Sequence, residues 1–378
     1  MLKIETSEAS ARPSPAKVPA TMKAAMFRGT RGKIAFKDVP VPEIGEFDAL
    51  IKVTACGVCR TDWHIWNGDW DWAIADAERA MILGHEVGGV IVAIGEGVRS
   101  VAIGDRITTP FGHACGKCGQ CLRGHQNRCE QMFFPSIQET GGWAEYMVVR
   151  DADLNAVRLP DKVDDLAAAA LGCRYMTAFH AIRDRGELKG GETVAVVGCG
   201  GVGLATIEIA VALGGRVIAV DIDDERLERA RKMGAFAAVN AKGLDPMETG
   251  AAIKGFTRSG KGADICVDAV GGTKTFHSAF HGLQKGGRLV AIGMTGQEEK
   301  GIVPLPIDFC VMLELNICGC SGIPIHGYDE LLALVADGKL APAALVNKTI
   351  SLSQVEQALE EIETFQATGY IVIDNMTS

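Results

Sequence analysis

The sequence predicts an α/β protein in which an irregular, mostly-β domain is joined to a doubly wound parallel-sheet domain. Three observations carry this. From Met22 to about Gly172, Gly, Pro and short β-branched runs such as Ala49-Leu-Ile-Lys-Val-Thr and Gly89-Val-Ile-Val-Ala-Ile alternate, which reads as many short strands in a barrel or sandwich. From Thr193 onward, near-continuous apolar strands alternate with helical runs, the pattern of a parallel sheet covered on both faces. The chain has 378 residues, more than the roughly 250–300 at which single cores stop growing.

Element by element, strands are expected at Thr193–Val197, Arg216–Asp221, Ala237–Asn240, Ala263–Asp268, Gly287–Ile292 and Leu315–Gly319, with helices at Val202–Leu213 and Asp224–Met233. A helix near Ser353–Glu363 and a strand near Tyr370–Asp374 read as a return to the first domain. The expected division is a loose tail over 1–21, the first domain over 22–174, the sheet domain over 175–318 and the return segment over 319–378. The tail is rich in Ser, Ala and Pro and lacks the apolar core of a signal peptide.

Net charge is −9 with no basic run, which argues against a nucleic-acid or anionic-membrane partner. No apolar run reaches the about 18 residues that span a bilayer. The expected location is the cytoplasm. Twelve cysteines in that reducing compartment are poor candidates for a disulfide framework, leaving metal ligands, a catalytic thiol or buried small side chains.

The run Val194-Ala-Val-Val-Gly-Cys-Gly-Gly-Val-Gly contains G-x-G-x-x-G as Gly198, Gly200 and Gly203. An apolar strand precedes it and a helix follows, the context in which this motif binds a dinucleotide. Gly198 permits the turn, Gly200 lets a pyrophosphate approach the backbone, and Gly203 lets helix and strand pack closely. The helix N-terminus offers free N–H groups to the phosphates. Asp221 ends the second strand, 18 residues past Gly203. A carboxylate there accepts ribose hydroxyls and repels a 2′-phosphate, so NAD(H) is expected over NADP(H). Arg226 reads equally as an adenosine contact or as a solvated helix face.

Cys115, Cys118, Cys121 and Cys129 follow one another at spacings of three, three and eight. Short turns of this kind can converge four thiolates on one Zn²⁺, and a closed sphere of four activates no water, so a structural zinc is expected here over buried free thiols. No Pro follows Cys129, and nothing else supports an iron–sulfur cluster.

Val53-Thr-Ala-Cys-Gly-Val-Cys-Arg-Thr-Asp-Trp-His holds Cys56 and Cys59 at C-x-x-C spacing. It could be a redox dithiol, half of a zinc site, or one ligand beside a bystander. His85 lies in G-H-E-x2-G-x5-G-x2-V from Gly84 to Val98, and Cys173 lies where the first domain meets the second. A Cys, a His and a second Cys from separate loops can hold a zinc with one open position. Spacing alone does not join these residues.

With the G-H-E pattern, the four-cysteine lobe and the dinucleotide fingerprint in that order, the chain resembles the zinc-dependent medium-chain alcohol dehydrogenases over about Met22 to Ile373. The resemblance implies a GroES-like catalytic domain, a Rossmann domain, and two Zn²⁺ per subunit. Cys59, His85 and Cys173 would hold the catalytic zinc, with Glu86 beside it assisting ligand exchange. Asp62 would accept a hydrogen bond from His85. Thr61 would bond the substrate oxygen, and His64 would pass its proton outward through the cofactor ribose. Arg60 would contact the pyrophosphate. The rest of the cofactor would meet Gly201 and Val202 at the fingerprint, and Thr177, Val270, Ile292, Gly293 and Met294 near the nicotinamide. The implied reaction is reversible hydride transfer between a primary or secondary alcohol and NAD⁺, giving an aldehyde or ketone. A specialised cyclic, aromatic or CoA-linked alcohol is the nearer alternative, and a catalytically idle zinc and nucleotide-binding protein the remoter one.

Departures from the family pattern are informative. The common Gly-Lys-x-Val near the C-terminus is Gly369-Tyr370-Ile-Val here, so that lysine is absent. Cys173 argues against the polyol branch, which often places Glu there. The stretch between Cys59 and His85 is longer than usual and holds Trp63, Trp66, Trp70 and Trp72, which read equally as pocket lining and as packing. The 43 residues between Cys129 and Cys173 resemble the often tetrameric microbial branch, so a homotetramer or homodimer is expected.

Overall fold

The structure is a computed structural model that describes residues 18–71, 74, 79–364 and 367–378. Most of the expected tail, and Trp72, lie outside the described residues. The first half of the chain supplies eight strands: β1 (Thr21–Arg28), β2 (Ala35–Pro40), β3 (Ala49–Val58), β4 (Ala80–Met81), β5 (Glu86–Ile94), β6 (Arg106–Thr108), β7 (Tyr146–Val149) and β8 (Val157–Arg158). The parallel sheet is made of β9 (Thr193–Val197), β10 (Arg216–Asp221), β11 (Ala237–Asn240), β12 (Ala263–Asp268), β13 (Leu283–Ala291) and β14 (Asn316–Gly319). Two last strands are β15 (Val346–Ser351) and β16 (Tyr370–Asn375).

The six parallel strands lie in the order β11-β10-β9-β12-β13-β14. Chain order therefore reverses between β9 and β12, the switch point beside which α/β sheets bind ligands. Buried Val and Ala on both faces of β9 make this a central strand. Helix Asp224–Lys232 is capped by Asp223, which accepts from Arg226 N at 3.0 Å. The expected strand at Gly287 begins earlier, at Leu283. Gly286 and Gly287 obscure its start in the sequence, but β13 accommodates it with extra residues between Leu283 and Arg288, the partners of Ala263 and Ile265. The expected C-terminal helix runs over Val355–Glu363, after a tight turn at Leu352–Gln354.

The other large sheet runs β15-β16-β3-β5-β6-β8, with β7 also paired to β3. β16 is antiparallel to β3, setting Ile373 opposite Cys56. The C-terminal strands thus close the sheet that carries the C-x-x-C stretch. Helix Arg60–Asn67 follows β3 directly and stops at Gly68, whose φ of 79° is left-handed.

Candidate active site

Cys59 is the N-cap of helix Arg60–Asn67. Its Sγ accepts from Thr61 N at 3.5 Å, and its own N–H donates to Asp62 Oδ2 at 2.8 Å. This reciprocal cap fixes Asp62 inside the protein, where it is 0% exposed. Asp62 Oδ1 then lies 2.9 Å from His85 Nδ1 and 3.2 Å from Gly84 N. A carboxylate can only accept, so Nδ1 carries the proton and Nε2 faces the other way. Nε2 is buried and makes no hydrogen bond among the described residues.

Cys59 Sγ, the His85 ring nitrogen and Cys173 Sγ lie within 4.8 Å of one another. The hydrogen bond from Cys173 holds the Cys59 thiol well below its ordinary range, with His85 assisting against burial. An orphaned imidazole nitrogen between two cysteine sulfurs fits a soft divalent cation. Cys56 sits outside this group in the core, and burial pushes its thiol well up. The C-x-x-C stretch is therefore asymmetric.

Glu86 does not join the cluster. Arg174 donates to Glu86 Oε1 from its backbone N at 3.1 Å and from Nε at 2.9 Å, while Nη2 takes Oε2. Packing holds it there as well. A Cβ at Gly57 would fall 2.2 Å from Glu86 Oε2, and one at Gly172 would fall 2.6 Å from Glu86 Cβ. Burial pushes the Glu86 carboxyl up, with Arg174 opposing the shift.

The three residues open on a cleft of about 920 Å³. Thr61 and His64 line it. His64 is paired through Nδ1 with Asp69 and stacks on Trp70 at 5.0 Å. Burial keeps His64 below its ordinary pKa against the pull of Asp69. Phe111, 6.5 Å from the His85 ring, and Phe134 make an aromatic wall. Trp70 lines the cleft, whereas Trp66 is buried in the core with Nε1 donating to Gly32 O at 2.9 Å. Trp63 is also in that core, under the Arg60 guanidinium. Among the described tryptophans of this run, Trp63 and Trp66 before Gly68 are packing and Trp70 after it faces the cleft.

At the far end of the cleft lie Gly198, Gly200, Gly201, Val202, Asp221 and Arg226, together with Arg60, Thr177, Val270, Ile292, Gly293 and Met294. Gly198 has φ 93°. A Cβ at Gly203 would meet Gly198 O at 1.7 Å, so only glycine lets helix Gly201–Ala212 pack this closely. A Cβ at Gly200 would meet nothing within 4 Å, leaving space over the helix N-terminus. Asp221 accepts from Cys199 N at 2.6 Å and Ile222 N at 2.8 Å, which aims its carboxylate at that space. Arg60 Nη1 donates to Ile362 O at 2.9 Å, a partner supplied by the C-terminal helix.

The second cluster joins Cys115, Cys118, Cys121 and Cys129, again within 4.8 Å. Cys118 and Cys129 sulfurs are 3.9 Å apart, close to the ~3.8 Å edge of a tetrahedron with Zn–S of about 2.3 Å. Cys129 Sγ accepts from the backbone N of Cys115 and of Gln131, each at 3.3 Å. Such bonds favour thiolates: at Cys118 they lower the thiol to about 6, whereas at Cys129 burial outweighs them and pushes the thiol up. All twelve cysteines are unpaired.

Sequence reasoning missed Arg174, Phe111, Phe134 and Asp69. Arg174 follows a ligand candidate directly, but only the fold shows that it faces Glu86.

Two family models match the chain: the alcohol dehydrogenase GroES-like domain over residues 45–161 and the zinc-binding dehydrogenase over 201–337. The alcohol dehydrogenase of Geobacillus stearothermophilus is 31% identical over 93% of this chain and 98% of its own. Acetophenone reductase from Geotrichum candidum NBRC 4597, solved with NAD, superposes with TM-score 0.81 at 26% identity, covering 96% of this chain and 99% of its own. A zinc-binding dehydrogenase from Sinorhizobium meliloti 1021, bound to NADP, superposes with TM-score 0.79 at 28% identity, covering 94% and 99%. Motifs, strand order and clustered ligands agree with these likenesses, and the chain belongs to the zinc-dependent medium-chain alcohol dehydrogenase family.

Proposed function

We propose that this chain is an NAD(H)-dependent alcohol dehydrogenase with two zinc sites per subunit. Cys59, His85 and Cys173 would hold a catalytic zinc, and Cys115, Cys118, Cys121 and Cys129 a structural one. The observation that carries this is the His85 Nε2, orphaned between two thiols in a cleft whose far end is a glycine-lined helix N-terminus. When bound, the metal supplies a Lewis acid for the substrate oxygen, and the dinucleotide supplies the hydride acceptor. Thr61 offers a hydroxyl to that oxygen. His64, kept neutral by burial and paired with Asp69, moves the released proton toward solvent. Asp62 fixes the ring of His85.

The family includes NAD and NADP enzymes, so the choice falls to Asp221. Its carboxylate, aimed into the cleft by three backbone amides, repels a 2′-phosphate. In an Asp221→Ser variant, kcat/KM with NAD⁺ is expected to fall about tenfold to a hundredfold, as for a lost charged hydrogen bond, while activity with NADP⁺ rises. An unchanged NAD⁺/NADP⁺ ratio would overturn the NAD assignment.

The wall of Trp70, Phe111 and Phe134 favours apolar or aromatic alcohols over polyols. The test of the whole reading is NADH absorbance with NAD⁺ and a panel of alcohols, before and after chelation. Turnover that chelation abolishes is expected. A zinc-loaded protein idle with every alcohol and every ketone would sink it.

A homodimer or homotetramer fits the exposed apolar run Ile302, Leu305, Ile307, Phe309, Val311 and Met312. That run leads into β14, the edge of the parallel sheet. Among the described residues no helix is long and apolar enough to cross a membrane, and we place the enzyme in the cytoplasm.

A further inference from the structure

Arg174 stands between the two halves of the cleft. Its side chain is 8% exposed. Two of its nitrogens are committed to Glu86, and its guanidinium lies flat over the Tyr370 ring at 3.7 Å. The third nitrogen, Nη1, makes no hydrogen bond among the described residues. It points toward the first turn of helix Gly201–Ala212, where a Cβ on Gly201 would meet it at 3.3 Å. That helix begins at Gly200 without a side-chain cap, and Arg174 itself lines the cleft. A buried cationic donor and free helical N–H groups thus converge on one open space.

We infer that Arg174 is a binding residue for the dinucleotide pyrophosphate, and that Glu86 is its anchor rather than a metal ligand. This rests on the reading of the cleft as a dinucleotide site. The geometry accounts for three otherwise unrelated features. Tyr370, in place of a lysine, provides a flat face that orients the guanidinium and donates through its hydroxyl to Gly201 O at 3.4 Å. Gly57 and Gly172 leave the room in which Glu86 can grip the fork. The paired Nε and Nη2 leave Nη1 as a donor of fixed direction, which a flexible lysine does not provide. Arg60 and Arg226 line the same space, so three guanidinium groups face one opening, and an anion there is favoured by all three charges. Because Glu86 sits next to His85 and Arg174 next to Cys173, one ion pair ties the phosphate site to the loops of the metal site.

The test is ligand binding to the zinc-loaded full chain, followed by quenching of tryptophan fluorescence with NADH, ADP-ribose and adenosine. Removing Arg174 alone strands Glu86 in the interior, so the informative variant is the double change Arg174→Met with Glu86→Gln. Affinity for NADH and ADP-ribose is expected to drop about tenfold to a hundredfold, the loss of one charge-assisted hydrogen bond, with adenosine affinity and zinc content unchanged. Arg174→Lys, which keeps the charge and loses the fork, is expected to lose about tenfold for ADP-ribose, and serves if the double variant does not fold. Unchanged ADP-ribose affinity in either folded variant overturns the role of Arg174, as does an equal loss for adenosine. Loss of zinc in the folded double variant overturns the anchor role of Glu86. A parent protein that binds neither NADH nor ADP-ribose overturns the dinucleotide reading itself.

Discussion

Cys59→Ser is expected to lose one zinc per chain and to turn over at below about one thousandth of the parental rate, whereas Cys56→Ser keeps both metal and activity. The two thiols are three residues apart, and the fold separates their chemistry. Cys59 caps a helix, faces His85 and Cys173, and its thiol is held well below its ordinary range by the hydrogen bond from Cys173. A serine there offers a hydroxyl that zinc binds poorly. A Lewis acid worth several kcal/mol of transition-state stabilisation then goes with it. Cys56 is wholly buried against Gly84 and Gly142, and its Sγ donates to Gly57 O at 3.5 Å. A serine hydroxyl can make the same bond, so the cost is confined to stability, at about 1 kcal/mol. Metal analysis and steady-state rates on the two variants decide the matter. A Cys59→Ser protein with full zinc and full rate would return the stretch to a structural or redox reading.

Cys121→Ser is expected to lower the melting midpoint by roughly 10 °C and to reduce zinc from two ions to one. The lobe has little else to hold it. Its apolar cluster consists of the four cysteines with Ala114, Met132 and Leu154, and its helices are only Gly119–Leu122 and Gln126–Arg128. In small lobes metal affinity is folding energy, and at about 2–4 °C per kcal/mol in domains of this size a loss of a few kcal/mol gives that shift. Calorimetry with metal analysis reads both numbers. Parental melting with two zincs would show that Cys121 does not hold the second metal.

The parts of the molecule legible in its sequence are those whose physics is local. The parallel strands are near-continuous apolar runs, and β9, β10, β11 and β12 fall where those runs lie. Gly198, Gly200 and Gly203 are legible because a tight turn, an open space and a contact of 1.7 Å each exclude a side chain. Cys115 to Cys129 are legible because their ligands lie within a few turns of one another. What is not local was hidden. His85 and Cys173 meet only because β5 and the segment after helix Asp165–Ala170 pack together, and it was the family resemblance that joined them. Glu86 lies beside a ligand in sequence, yet points to Arg174: it opens β5, whereas His85 lies in the loop before that strand. Trp66 and Trp70 look alike in composition, but the left-handed turn at Gly68 sends one into the core and the other to the cleft.

The pairing of β16 with β3 joins residues more than 300 positions apart. Such a contact is slow to form, because loop closure must precede any gain from it. The six strands of the parallel sheet all lie between these partners, so on the ribosome that sheet is complete before β16 exists. The sheet that carries Cys59 therefore closes last, around a nucleotide-binding unit already folded. Until then β3 has an unpaired edge next to two free thiols, and the arrival of the segment that carries β16 governs how long that vulnerable interval lasts.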